Sequence, residues 1–174
     1  MIRPAAAADL PEIAALYETL LDREAASGTI YTNWKKGSYP TVETARISLE
    51  AGTLYVGRTE SGVLWGVTTL NGIQLPEYGE IPWSIPAEEE QVGVIHTLCI
   101  HPEHTRQGRA RQLVEFCEAE SRRQGRSVMR LDTWEGNLPA NRLYPSLGYR
   151  YAGAAEFFFQ GYIRENLNCY EKLL

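Results

Sequence analysis

The stretch His96-Thr-Leu-Cys-Ile-His-Pro-Glu-His-Thr-Arg-Gln-Gly-Arg-Ala-Arg-Gln-Leu-Val-Glu-Phe-Cys117 decides the fold. It reads as an apolar strand, a short polar turn, one glycine and then an amphipathic helix. Ala110, Leu113, Val114 and Cys117 are spaced to fall on one helical face. A helix that starts this way turns unpaired backbone N–H groups and its positive dipole end toward the same spot, which makes the turn a ready anion site. Gly108 lets the backbone approach a phosphate, Ala110 adds little bulk, and Arg106, Arg109 and Arg111 supply positive charge. A plain arginine-rich surface turn has the same local pattern, because short glycine motifs also match by chance. The chain contains neither Gly-x-Gly-x-x-Gly nor Gly-x-x-x-x-Gly-Lys-Ser/Thr, which excludes a dinucleotide fingerprint and a nucleotide-triphosphatase loop.

Around this stretch the composition is that of one ordinary globular domain over residues 1–174, with 44% hydrophobic and 22% charged residues. The formal net charge of −5 argues against a nucleic-acid partner. The arginines near Gly108 form a local patch on an acidic chain, which suits a small anionic ligand. No apolar run reaches the length of a membrane span, and residues 1–5 lack the basic and apolar regions of a signal peptide. Cys99, Cys117 and Cys169 are odd in number and scattered, so they read as reduced, packed thiols of a cytoplasmic protein.

Along the chain, residues 1–3 suggest a first strand. Asp9 reads as an N-cap, with Glu12 completing a capping box before a helix that carries Leu10, Ile13, Tyr17 and Leu21. An aromatic loop over 28–40 holds Tyr31, Trp34 and Tyr39, and Thr41 caps a second helix. Strands over 53–59 and 63–70 flank the turn Glu60-Ser61-Gly62, and residues 71–90, rich in proline and glycine, form an irregular excursion. A fourth strand over 92–100, the helix ended by Gly125, and a strand over 128–133 follow. Then come a short helix capped by Asn137 and stopped by Gly148, and closing strands over 150–159 and 167–174. The order β-α-α-β-β-β-α-β-α-β-β predicts an α/β fold with a mixed sheet and helices on both faces. The anion loop then lies at the carboxyl end of the fourth strand, where open α/β sheets bind ligands.

These residues resemble the GCN5-related N-acetyltransferase (GNAT) family. Its cofactor loop reads Gln/Arg-x-x-Gly-x-Gly/Ala, and here Thr105-Arg106-Gln107-Gly108-Arg109-Ala110 matches at Gly108 and Ala110 and departs at Thr105. A second family pattern, Asn-x-x-Ala-x-x-Leu-Tyr-x-x-x-Gly-Phe/Tyr, is met at every fixed position by Asn137, Ala140, Leu143, Tyr144, Gly148 and Tyr149. The resemblance implies a three-layer GNAT fold whose mostly antiparallel central sheet is flanked by helices and splays in a V after the fourth strand. It implies acetyl-CoA (coenzyme A) as co-substrate, no metal, and an amine of a small molecule or peptide as acceptor. The chain would be a monomer or a homodimer.

Carried over residue by residue, the backbone of Leu98, Cys99 and Ile100 would pair with the pantetheine arm, and the amides of residues 107–111 would hold the pyrophosphate, with Arg106 compensating for Thr105. Asn137 and Asn141 would hold the pantetheine from the other side; Asn137 also reads simply as a helix cap, and one amide can do both. Tyr144 is the candidate proton donor to the departing thiolate, although a phenol of pKa about 10 needs help from geometry to do so. The Leu98 N–H is a candidate donor to the thioester oxygen. His96, two residues earlier and so expected on the same side of the strand, is the candidate base, with Glu90 and Glu43 behind it. A metal site at His96, His101 and His104 is disfavoured because no Cys or carboxylate completes a ligand set. Trp34, Tyr39, Trp134 and residues 157–159, Phe158 among them, are candidates to line the acceptor pocket, with Glu156 or Glu80 pairing an ammonium. Two rivals remain on the same fold: a non-catalytic acyl-CoA-binding sensor, and a protein N-terminal acetyltransferase.

Overall fold

Helical and strand periodicities are realised in the expected order. The elements are β1 (Ile2–Pro4), α1 (Leu10–Ser27), α2 (Val42–Glu50), β2 (Leu54–Arg58), β3 (Leu64–Asn71), β4 (Val92–Ile100), α3 (Arg109–Arg123), β5 (Val128–Trp134), α4 (Leu138–Ser146), β6 (Arg150–Phe159) and β7 (Ile163–Leu173). The computed structural model describes residues 1–159 and 163–174, and the side chains of Phe159 and Ile163 fall outside that description. β7 begins four residues earlier than the apolar pattern suggested, because it stays paired with β6 out to Phe159↔Ile163.

The seven strands are ordered β1-β2-β3-β4-β5-β7-β6. β1/β2, β2/β3, β5/β7 and β6/β7 are antiparallel, and β4 and β5 run parallel. This mixed, mostly antiparallel sheet flanked by helices is the predicted fold class. The β4–β5 ladder spans Val92↔Val128 to Ile95↔Leu131, while β4 runs on to Ile100 and β5 to Trp134. The parallel pairing therefore ends at Ile95, five residues before the end of β4.

By contacts the chain divides into two compact units. The first comprises Met1–Ile30, Trp34–Leu70 and His96–Cys117; the second comprises Tyr31–Asn33, Asn71–Ile95 and Glu118–Leu174. In the first, Ile13, Leu16 and Tyr17 of α1 and Ala45 of α2 bury their apolar faces against Leu54, Val56, Leu64, Val67 and Cys99. Asp9 is a correction to the sequence reading. It stands at the N-cap position but its carboxylate does not cap α1. It is buried, receives the Ala6 N–H at 2.7 Å, and binds Arg3 at 2.8 Å and Arg58 at 2.6 Å. Thr41 does cap α2 through the Thr44 N–H.

The second unit has its own core of Tyr78, Ile81, Val92, Val94, Phe157, Leu167 and Cys169. The excursion between β3 and β4 is firmly tied down. The Glu171 carboxylate, fully buried, accepts from Ser84 N–H at 2.7 Å, Ser84 Oγ at 2.6 Å and Ile85 N–H at 3.1 Å. Arg130 donates to Gln74 Oε1 and to the Ile85 carbonyl and lies over the Trp83 ring at 4.4 Å. At Gly93 a side chain is excluded by close packing, since a Cβ would lie 2.6 Å from Ser121 Oγ. All three cysteines are buried and none is in a disulfide. Among the described residues no helix is long and apolar enough to cross a membrane.

Candidate active site

β4 departs from regular strand geometry at Thr97. Thr97 has φ 49°, a left-handed conformation that is uncommon without glycine and breaks the period-two alternation of the strand. His96, Thr97 and Leu98 are accordingly all half-buried in succession. The expectation that His96 and Leu98 share a side rested on that alternation, and the left-handed residue between them removes its basis. The Thr97 hydroxyl and the Tyr39 hydroxyl are 2.5 Å apart. Cys99 turns its side chain into the core, where burial and then the nearby Glu24 push its thiol pKa far up, so only its backbone is available to a ligand. His101 accepts the Glu103 N–H and ends the strand, and among the described residues no group of His, Cys, Asp and Glu is arranged to hold a metal ion.

The turn that follows is built to present backbone. Arg106 (φ 59°) and Gly108 (φ 75°) are both left-handed. Thr105 Oγ1 is tied to the Pro102 carbonyl and Gln107 Nε2 to the Glu103 carbonyl, which holds these polar side chains back along the preceding turn. The Gln112 N–H bonds the Gly108 carbonyl at 3.0 Å, so the amides of Arg109, Ala110 and Arg111 precede the first α3 bond to an observed carbonyl. A Cβ at Gly108 would meet nothing within 4 Å. Alternating left- and right-handed backbone ahead of a helix makes an anion-binding concavity.

The arginines divide. Arg106 is exposed and has no ion pair among the described residues. Arg109 lies over the Trp65 ring at 4.9 Å and donates to Gln112, and Arg111 sits 3.7 Å from Glu115. Of the three, only Arg111 has a carboxylate partner among the described residues, and Arg109 is held by neutral groups. Trp34 and Tyr39 meet edge to face at 5.8 Å, and Trp34 packs against the core of this unit.

In the second unit Asn137 caps α4, its Oδ1 accepting from Ala140 N–H while its amide N–H₂ stays uncommitted to the cap. Asn141 is engaged within the fold. Its N–H₂ serves the carbonyls of Trp134, Glu135 and Asn137, and its Oδ1 accepts from Asn168 and the Tyr170 hydroxyl. With every lone pair and proton used, it fixes α4 to β5 and β7 and has nothing left for pantetheine. Tyr144 is buried, its ring packed on Tyr149 and Tyr170 at 5.8 and 5.7 Å. Among the pocket candidates, Phe157 is fully buried in the core, while Phe158 is exposed under the Arg164 guanidinium and Trp134 packs at the core's edge. Glu156 is paired with Arg164 at 2.7 Å, and Glu80 is exposed.

One residue of this unit was missed from sequence. Asp132, first on β5 beyond the end of the β4 ladder, accepts the Tyr78 hydroxyl at 2.8 Å. Burial lifts its pKa to about 6, against the Tyr78 hydrogen bond and with Glu165 and Glu77 nearby raising it further. A carboxylate inside the apolar run of residues 128–134 was the available signal.

The profile of the acetyltransferase (GNAT) family matches residues 14–149. The chain belongs to the GNAT acetyltransferase family. Solved structures agree on the fold. A GNAT-family acetyltransferase from Streptococcus agalactiae superposes with TM-score 0.78 at 20% identity, covering 100% of this chain and 95% of that one. A Salmonella typhimurium protein solved with its cofactor acetyl-CoA gives 0.67 at 21%, covering 100% and 93%. A ribosomal-protein-alanine N-acetyltransferase from Brucella melitensis gives 0.71 at 20%, covering 100% and 99%. No curated protein matches the chain. At these identities the GNAT relatives share the fold with this chain, and what each one acetylates remains a property of that relative.

Proposed function

We propose that this GNAT chain works over residues 1–174 as one acetyl-CoA-dependent N-acetyltransferase, moving acetyl directly to a primary amine of a small molecule or peptide. The observation that carries the reading is the turn at residues 105–108. Two left-handed residues and two tied-back side chains turn the first amides of α3 outward, beside a strand whose parallel ladder has already ended. These residues fit the cofactor. The amides of Gln107 to Arg111 and the Arg106 guanidinium are the seat for pyrophosphate, and the Leu98–Ile100 backbone is the strand edge for pantetheine. When bound, acetyl-CoA supplies an activated thioester. In the first unit the Leu98 N–H is the donor to its oxygen. In the second unit the Tyr144 hydroxyl is the proton donor to the departing thiolate, and the free Asn137 amide is a pantetheine contact. His96 is the base named from sequence.

A thiol-release assay with acetyl-CoA and a panel of primary amines tests this reading, with product mass as confirmation. Release that depends on the amine, together with a product heavier by one acetyl group, is the expected result. Release with water alone, across the whole panel, contradicts an N-acetyltransferase.

A further inference from the structure

Three buried carboxylates of this chain, Asp9, Glu118 and Glu171, have cationic partners or several donors, and the half-buried Asp132 has neither. Asp9 is met by two arginines and a backbone N–H. Glu171 is met by three donors from Ser84 and Ile85. Glu118 holds the Lys172 ammonium on both oxygens at 2.8 Å. Asp132 has a single neutral donor among the described residues, the Tyr78 hydroxyl at 2.8 Å. A half-buried carboxylate with one neutral partner carries part of the cost of desolvation, and it lowers that cost by gaining either a proton or a cation. The groups around it supply neither. Glu77 comes from the excursion, Glu165 and Cys169 from β7, and Tyr144 from α4 interacts with Tyr78. Glu165 is itself held by the Asn33 amide at 2.8 Å.

Position adds to this. Asp132 is the first residue of β5 past the last parallel pair, Ile95↔Leu131. Arg130 and Asp132 lie two apart on the same face of β5, and both are met by the excursion, through Trp83 and Ile85 and through Tyr78. Tyr78 is 3% exposed, between Trp83 at 5.1 Å and Phe157 at 6.0 Å, on a segment anchored by Glu171.

We propose that Asp132 is the proton acceptor for the incoming ammonium, and that Tyr78, delivered by the excursion at residues 72–91, is the positioning residue that holds it. This rests on the acetyltransferase reading above. The step balances. The ammonium gives one proton to the Asp132 carboxylate and becomes a neutral amine. The amine nitrogen forms the new bond to the acetyl carbon as the carbon–sulfur bond breaks. The thiolate takes a proton from Tyr144, which regains one from the amide nitrogen through solvent, and Asp132 returns its proton to solvent. A group whose pKa lies near the working pH is suited to this task, and an arriving cation favours its ionised form.

The test compares the wild type, Asp132→Asn and Tyr78→Phe. Both replacements keep the shape of the side chain, and Phe keeps the ring contacts. Infrared titration of the protein without ligand follows the buried carboxyl band. The band is expected to appear as pH falls through about 6, to be missing from Asp132→Asn, and to move to higher pH in Tyr78→Phe, because the Tyr78 hydrogen bond lowers the Asp132 pKa. Turnover is measured with acetyl-CoA and three probe amines: tyramine, spermidine and an alanine-terminated peptide. Asp132→Asn is expected to lower kcat at least about a hundredfold, with acetyl-CoA affinity kept. Tyr78→Phe is expected to move the acid limb of kcat/KM upward in pH. A limb that persists in Asp132→Asn and vanishes in His96→Gln overturns the proposal, as does a band that none of the variants changes. If no probe is acetylated, the transferase reading fails, and the infrared titration alone decides whether Asp132 takes the proton.

Discussion

Replacing Tyr144 with Phe lowers kcat by about 10²- to 10⁴-fold, the usual contribution of a positioned proton donor, and leaves acetyl-CoA affinity unchanged. The substitution removes one oxygen. The ring contacts with Tyr149 and Tyr170 are retained. Single-turnover kinetics with acetyl-CoA, paired with calorimetric binding, separate the two quantities. An unchanged kcat would remove Tyr144 from the chemistry and favour the sensor reading, in which the hydroxyl has no task. A loss of binding together with kcat would make it a cofactor contact instead.

Asp9→Asn is the largest expected effect on stability. The carboxylate is 3% exposed and binds Arg58, whose side chain is 16% exposed, along with Arg3 and the Ala6 N–H. Breaking one side of a buried pair costs about 3 kcal/mol, or roughly 6 to 12 °C in melting temperature for a domain of this size. The neighbouring Glu12→Gln, at an exposed partner of the same arginine, costs less than about 1 kcal/mol. The Arg3 hydrogen bond holds the Asp9 carboxyl well below the usual carboxylate range, helped by the Ala6 and Arg58 hydrogen bonds and opposed by burial. Its folded-state pKa is depressed, so its contribution is complete above the unfolded pKa of about 4 and is lost as pH falls toward the folded value. Thermal melts at descending pH should therefore converge for wild type and Asp9→Asn in acid. A constant gap between them would assign the stabilisation to packing and not to charge.

The fold was legible because its deciding stretch is local. The periodicity of β4, the Gly108 turn and the α3 face lie within 22 consecutive residues, and the Asn137–Tyr149 pattern is equally compact. The features that escaped are those made by chain crossings. Asp132 meets Tyr78 across 54 residues, and Glu171 meets Ser84 across 87. No window of sequence brings such partners together, so Asp132 drew no role and the excursion looked irregular. The bonds of Asn141 escaped for a related reason. Two of its partners, Asn168 and Tyr170, come from a strand 27 and 29 residues away. Thr97 is a different failure. A left-handed residue in a strand has a sequence signal when it is glycine, and here it is a β-branched residue. Asp9 was misread because capping and ion pairing ask for the same residue at the same place, and Arg3, six residues before it, with Arg58, 49 residues after it, decided between them.

The account turns on the amides at the head of α3 and the strand edge before them receiving acetyl-CoA. The most direct measurement is a thermal-shift titration with acetyl-CoA, with ADP and desulfo-CoA alongside. At a hundred times the dissociation constant the ligand adds about 2.7 kcal/mol, roughly 5 to 11 °C for a domain of this size. A shift of that order, shared by desulfo-CoA and smaller with ADP, is the predicted result. No shift at millimolar acetyl-CoA would contradict the account and would mean that Thr105, in place of the usual Gln or Arg, has cost this loop its ligand.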